Sequence, residues 1–330
     1  MFPSLAHLAS LTDDVGTIQH AFGTLPNRAT GYCTDDLARS LIAATQHQIL
    51  DPSNARAERI AHTALAFLLH AQLPDGRFHN FMSYGREWLD DIGTEDSCGR
   101  AIWALGYAGK YARYPDWRER SAAAFTRALA SVECFTYLRP TAYAALGLAA
   151  AGERSATASA LLARLREAFA ANAAGGWLWY ESRMTYDNAR LPQAHLLLAD
   201  LLGDAAAREE ALVALAFYRS QNFEGELFSP IGNRGWLLRG GSKARFDQQP
   251  LEAAAAVDAF LAADRGGVPG ARGDAERALQ WFYGRNVLGV PLVDDRGGCS
   301  DGVNADGING NCGAESTLAY LMAAQSWELS

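Results

Sequence analysis

The chain has no paired cysteines. Its five (Cys33, Cys98, Cys134, Cys299 and Cys312) show no CxxC spacing and are odd in number. A disulfide framework is therefore not expected, and a reducing, cytoplasmic setting is. The opening MFPSLAHLASLTDD lacks a basic stretch followed by a sustained apolar core, so no secretory signal is read there. No window approaches the roughly 18 uninterrupted apolar residues of a membrane span, and no membrane partner is expected. Positive charge is short as well, with 29 Lys+Arg against 37 Asp+Glu and a net charge of −8. Phosphate neutralisation needs a basic face, so nucleic acid is excluded and neutral or cationic ligands are favoured. Strand signals are thin: only GGWLWYES (175–182) and GELFSPI (225–231) read as short hairpin strands. What remains is a chain of 330 residues, 49% hydrophobic, without a linker-like composition break. That predicts one domain over 1–330 with one large core.

Against these absences stands a repeat. TYDNARLPQA (185–194) ends a loop in polar residues and opens a helix, with Pro192 in the first turn where it is tolerated. The same plan recurs in GYCTDDLARSLIAA (31–44), GTEDSCGRAIWALG (93–106), LRPTAYAALGLAA (138–150), FDQQPLEAAAAVDAF (246–260) and GNCGAESTLAYLMAA (310–324). Those six helices are rich in Ala, Leu and Gly almost all round, which marks them as buried. Between them, 54–72, 117–131, 154–171, 205–220 and 271–284 are amphipathic, and residues 4–20 supply a sixth outer partner. Alternating buried and amphipathic helices predict an all-α (α/α)6 toroid of six helical hairpins. An open superhelical array is the alternative.

Loop lengths then separate the two ends of the ring. Connections after the buried helices are short; those before them are mostly long and aromatic, as in 74–94, 174–186, 224–246 and 289–313. Function concentrates on such decorated faces. Onto this one project Asp35, Asp36, Glu95, Asp96, Asp187, Asp247, Glu252 and Glu315. Acids at helix starts are often simple caps, and Asp187/Arg190 and Asp96/Arg100 have the spacing of helix ion pairs. Yet acid-tipped helices converging on one axis repel one another, which a binding or catalytic site explains better. Trp88, Trp179, Trp236, Tyr32 and Tyr186 beside Asn188, Asn233, Gln248 and Gln249 offer the flat apolar faces and amides that a sugar ring uses. A glycosidic bond needs two carboxyls, one protonated and one ionised. Glu95 is the choice for general acid, and Asp187 and Asp247 compete for general base, with Asp36 behind them.

Other chemistries fit less well. The seven histidines are scattered, and a histidine-driven epimerase wants a pair at the ring mouth; His79 alone is placed in a long loop of the decorated face. Cys33, Cys98, Cys299 and Cys312 do not come in tight pairs, so no zinc is expected. DGVNADGING (301–310) lacks the twelfth-position Glu of a calcium loop, where Cys312 stands. GNRGWLLRGG (232–241) has no phosphate-loop Lys. No metal and no cofactor are expected.

GYCTDDLAR, NFMSY, GTEDSCGRAIWALG, TYDNARLPQA, SPIGNRGW, FDQQPLEA and GAESTLAYL, in this order along nearly the whole chain, resemble a bacterial group of the six-hairpin glycosidase-like superfamily. Its members are often named glycosyltransferase because the module is fused to, or encoded beside, sugar-transfer enzymes. The resemblance implies an (α/α)6 toroid, inverting hydrolysis of glycosides by Asp/Glu pairs, an oligosaccharide or glycoside substrate, and a partner glycosyltransferase. Asp36, Glu95, Asp96, Asp187, Asp247 and Glu315 match the motif acids. The group more usually has His where Cys98 stands and Gln where Cys312 stands. No nucleotide-binding pattern is present. Two alternatives stay open: a non-catalytic saccharide-binding module, and an isomerase or lyase with Tyr186 or His79 as base.

Overall fold

The computed structural model describes residues 2–330. Twelve α-helices run through them: α1 Ala6–Leu11, α2 Thr34–Leu50, α3 Ala55–Ala71, α4 Glu95–Tyr111, α5 Pro115–Ala128, α6 Leu138–Ala151, α7 Ala156–Asn172, α8 Arg190–Leu202, α9 Ala205–Asn222, α10 Pro250–Arg265, α11 Ala271–Gln280 and α12 Ala314–Glu328. The even-numbered helices are the Ala-rich ones, and each packs on the next. α12 packs back on α2, so the ring closes and the open array is ruled out. The odd-numbered helices form the outer layer and bury one stripe only. In α3 that stripe is Ala57, Ile60, Ala61, Ala64, Leu65 and Leu68, the i, i+3, i+4 pattern of a half-buried helix.

Small residues let the inner helices touch backbone to backbone. A Cβ on Gly106 would lie 2.5 Å from the carbonyl oxygen of Gly147, and one on Gly147 would lie 2.7 Å from that of Ile102. No side chain fits there, so α4 and α6 are held at their closest by the absence of atoms.

The two ends of the ring are finished differently. At the trimmed end, Asn54, Ser155 and Asp204 cap α3, α7 and α9 with their own side chains, and Gly152 and Gly203 close α6 and α8 in the left-handed conformation. At the mouth, of the six inner helices only α4 has a side-chain cap of its own, from Thr94; α2, α6, α8, α10 and α12 have none. Their free N–H groups must find partners from neighbouring elements.

Two expectations need correction. The first helix stops at Leu11 because Asp13 turns the chain: its carboxylate accepts from the N–H groups of Val15 and Gly16 at 2.8 and 3.2 Å, the local bonding that makes Asp a turn former. Residues 12–33 thus become a loop carrying a hairpin, Ala21–Phe22 against Leu25–Pro26. GGWLWYES forms no strand either; Trp179 and Tyr180 are fully buried. The ladder there is Arg183–Met184 with Leu237–Leu238. The second expected hairpin is present as Phe223–Glu224 paired with Leu227–Phe228. No helix among the described residues is long and apolar enough to cross a membrane.

Candidate functional site

A cavity of about 550 Å³ opens at the mouth, within the size range of small-molecule sites. Its wall includes His20, Cys33, Asp35, Asp36, Arg39, Asp96, Arg100, Tyr186, Asn233, Asp247, Gln249, Asp301 and Glu315. A side cleft of about 580 Å³ shares Asp35, Phe81, Asp96 and Tyr186 with it, and adds Tyr137, Arg139, Arg183 and Trp236. Helix starts from α2, α4, α10 and α12 therefore do converge on one hollow.

On the α2/α12 side the acids line the cavity. Arg39 reaches Asp36 at 3.0 Å and Glu315 at 2.6 Å, joining the first inner helix to the last. The Cys33 thiol donates to the other Asp36 oxygen at 3.2 Å. Burial is the largest influence on Asp36 and outweighs the arginine, pushing its pKa up to about 6. Burial also raises Asp35, against the pull of Arg100 and Arg39. Asp247 is held at φ 62°, a left-handed conformation that side chains rarely adopt. Among the described residues its carboxylate has no hydrogen-bond or ion-pair partner, and it lines the cavity. His20 is exposed on the same wall. Tyr186 donates to Asp96 at 2.7 Å, and burial followed by that carboxylate pushes the phenol up. A tyrosine so held is a poor base.

On the α6/α8 side the acids are consumed. Asp187 is 2% exposed. It meets Arg100 at 3.0 Å and Arg190 at 3.5 Å and accepts from the Tyr143 hydroxyl at 2.7 Å. Burial alone would raise its carboxyl, but the two guanidiniums and Tyr143 leave it below the ordinary range. It does not line the cavity, so the expected catalytic role of Asp187 is corrected to that of an anchor for Arg100, which in turn meets Asp35 at 3.3 Å. Beneath it, Glu252 on α10 accepts from the backbone N–H groups of Asp187 and Asn188 and from the Asn188 amide. This fixes, from a neighbouring helix, the turn that leads into α8, whose own first N–H groups are taken by the carbonyls of Asp187 and Asn188.

Glu95 does the same for α6. Its carboxylate accepts from the N–H groups of Thr136 and Tyr137 and from the Thr136 hydroxyl at 2.7, 3.1 and 2.7 Å. Partial burial would raise its pKa; these donors outweigh burial and lower it. A general acid needs the opposite shift, and Glu95 lines the side cleft and not the cavity.

Several expected binding residues are framework. Trp179 is fully buried, and Trp88 stacks on His79 at 4.6 Å. His79 Nδ1 donates to the Asp90 carbonyl at 2.7 Å, and His79 lines neither the cavity nor the side cleft. Tyr32 is buried and donates to Asp13. Gln248 is fixed by Trp281, Ser229 and Arg245. Asn188 and Arg190 are buried, the latter bonded to Asp258 at 2.6 Å. Asp35, Arg100, Tyr186, Gln249 and Glu315 line the cavity, and Trp236 lines the side cleft. Asn233, an amide expected beside the aromatic loops, lines the cavity as well; His20, Arg39 and Asp301 were missed. All five cysteines are free thiols, and no cluster of metal-binding side chains occurs among the described residues.

No family model matches the sequence, and no curated protein matches it. Among solved structures, the chain is similar to a sugar epimerase from a ruminal bacterium, with a TM-score of 0.74 at 13% identity over 98% of this chain and 95% of that one. It is similar to cellobiose 2-epimerase from Bacillus thermoamylovorans, with a TM-score of 0.73 at 12% identity over 99% and 96%. It is also similar to a GH76 α-mannanase from Bacteroides thetaiotaomicron, with a TM-score of 0.68 at 10% identity over 97% and 93%. Likeness at these identities establishes the fold, an (α/α)6 toroid of six helical hairpins. The reaction has to be argued from the site.

Proposed function

We propose that this chain is a carbohydrate-active enzyme that epimerises or isomerises a short saccharide by proton transfer. The observation that carries the proposal is the fate of the acids. Glu95 and Asp187, the pair best suited by sequence to hydrolysis, are spent on helix caps and arginines, while an open imidazole and an unpaired carboxylate face the cavity. Imidazole is the side chain whose ordinary titration lies nearest neutrality, which suits it to both taking and giving a proton. The similarity to two sugar epimerases over nearly the full length of both chains supports the same class of reaction.

In this reading the sugar binds with its carbonyl end in the cavity. His20 takes the proton from the carbon beside the carbonyl, and the electron pair moves to the carbonyl oxygen, which Asp36 protonates. The high pKa of Asp36 keeps its acid form accessible. For isomerisation, His20 gives that proton to the neighbouring carbon while the Asp36 carboxylate takes the proton of the enediol hydroxyl there. For epimerisation, Asp247 carries a solvent-derived proton to the opposite face, the Asp36 carboxylate takes back the proton on the carbonyl oxygen, and His20 releases its own to water. Arg39 and Arg100 flank the developing charge.

Inverting hydrolysis by Asp36 as acid and Asp247 as base is the second reading, favoured by the same two carboxyls. Turnover of a saccharide panel in D₂O and, separately, in ¹⁸O-water distinguishes the two. Epimerisation leaves one solvent deuterium on carbon, isomerisation at most one, and neither adds water to the sugar. Hydrolysis splits the saccharide and places ¹⁸O on a product, a result that would reject the proposal.

A further inference from the structure

The geometry points to a second sugar-ring subsite in the side cleft, so that the substrate is a disaccharide or longer. This inference rests on the reading of the mouth as a sugar site. The cleft is continuous with the cavity through Asp35, Phe81, Asp96 and Tyr186. Nearly every charge on its wall already has a partner within the protein. Glu95 is held by Thr136 and Tyr137, Arg139 is paired with Glu181, Asp96 accepts from Tyr186, and Asp35 meets Arg100.

What is left without a partner is aromatic surface and one donor. Phe81 is 41% exposed and Tyr137 is 68% exposed, an arrangement that costs solvation free energy unless something covers it. Trp236 is held at φ 58°, a strained conformation for a bulky residue, and strain of this kind collects at ligand-binding positions. Its indole N–H is engaged by Asn233 at 2.9 Å, which fixes the ring. Arg183 lies 5.6 Å from the Trp236 ring centroid and has no acidic partner among the described residues.

Flat apolar faces beside a fixed hydrogen-bond donor are what a pyranose ring recognises, with C–H faces on the aromatics and hydroxyls on the guanidinium. Glu95, Asp96, Asp35 and Glu181 on the same wall disfavour an anionic unit. The chemistry therefore selects a neutral sugar residue, linked to the reacting sugar in the cavity.

The test uses Trp236→Gly, which removes the ring at a position whose backbone suits glycine, and Tyr137→Ala on the surface, each checked for an unchanged Tm. Calorimetry and isotope-exchange kinetics are run on neutral disaccharides and on their component monosaccharides. The inference expects disaccharides to bind more tightly than monosaccharides. Each variant is expected to raise KM for disaccharide about tenfold with kcat retained, and to leave monosaccharide kinetics unchanged. Equal effects on mono- and disaccharide, or no disaccharide preference in the wild type, would overturn it. If disaccharide binding is tight and weakened by both variants but no exchange occurs, the subsite stands and the proposed reaction falls.

Discussion

The two sides of the ring mouth start from the same local plan and end differently. On the α6/α8 side, Glu95 and Glu252 reach sideways into N–H groups of the turn that leads into the adjacent helix, and Asp187 is closed in by Arg100, Arg190 and Tyr143. On the α2/α12 side, Asp36 and Glu315 share a single Arg39, and Asp247 has nothing. An acid at a helix start is thus structural when a neighbouring uncapped helix lies within reach. It stays available for chemistry when the nearest partner is one shared guanidinium.

The sharpest way to break this comparison is to remove the free groups. Asp247→Asn and His20→Ala are each expected to lower kcat by about 10²–10⁴-fold with Tm unchanged, because neither side chain has an internal partner; retained turnover in both would place the chemistry elsewhere. The converse change, Asp187→Asn, leaves two buried guanidiniums under-compensated. It is expected to cost about 3–5 kcal/mol of unfolding free energy in denaturant titrations, and a loss below about 1 kcal/mol would contradict the anchoring role.

Glu252 gives an effect that depends on pH. Burial, with Asp187 next, pushes its pKa up to about 8 despite the N–H groups it accepts. The native chain therefore binds this proton more tightly than the unfolded one, and the protonated carboxyl's stabilisation is complete below the ordinary carboxylate pKa. It is lost as pH rises towards 8, with a slope of at most about 1.4 kcal/mol per pH unit. Glu252→Gln should flatten stability measured from pH 5 to 8; an unchanged slope would show that another group titrates. The smallest effect is expected from Glu95→Gln, which weakens a partly exposed cap. About 1 kcal/mol should be lost in stability, with turnover changed by no more than about threefold, and a hundredfold loss would restore Glu95 to the chemistry.

The ring was legible in the sequence because its signals are periodic and repeated. Ala/Leu/Gly helices alternate with amphipathic ones, and short connections alternate with long ones. The convergence of Asp35, Asp36, Asp96, Asp247 and Glu315 followed from that topology. What escaped depends on which partner each side chain meets. Nothing in TYDNARLPQA shows that α4 and α6 bring Arg100 and Tyr143 onto Asp187. Trp88 and Trp179 have the composition of sugar platforms and pack instead into the outer layer. His20 was overlooked because residues 4–20 carry helical spacing; the one available signal was the TDDVG turn, which ends the helix nine residues earlier.

Arg39 spans Asp36 and Glu315, residues nearly the whole chain apart. Without α12 beside α2, Arg39 would hold half a clasp, so the same guanidinium that lines the cavity also ties the two ends of the ring together.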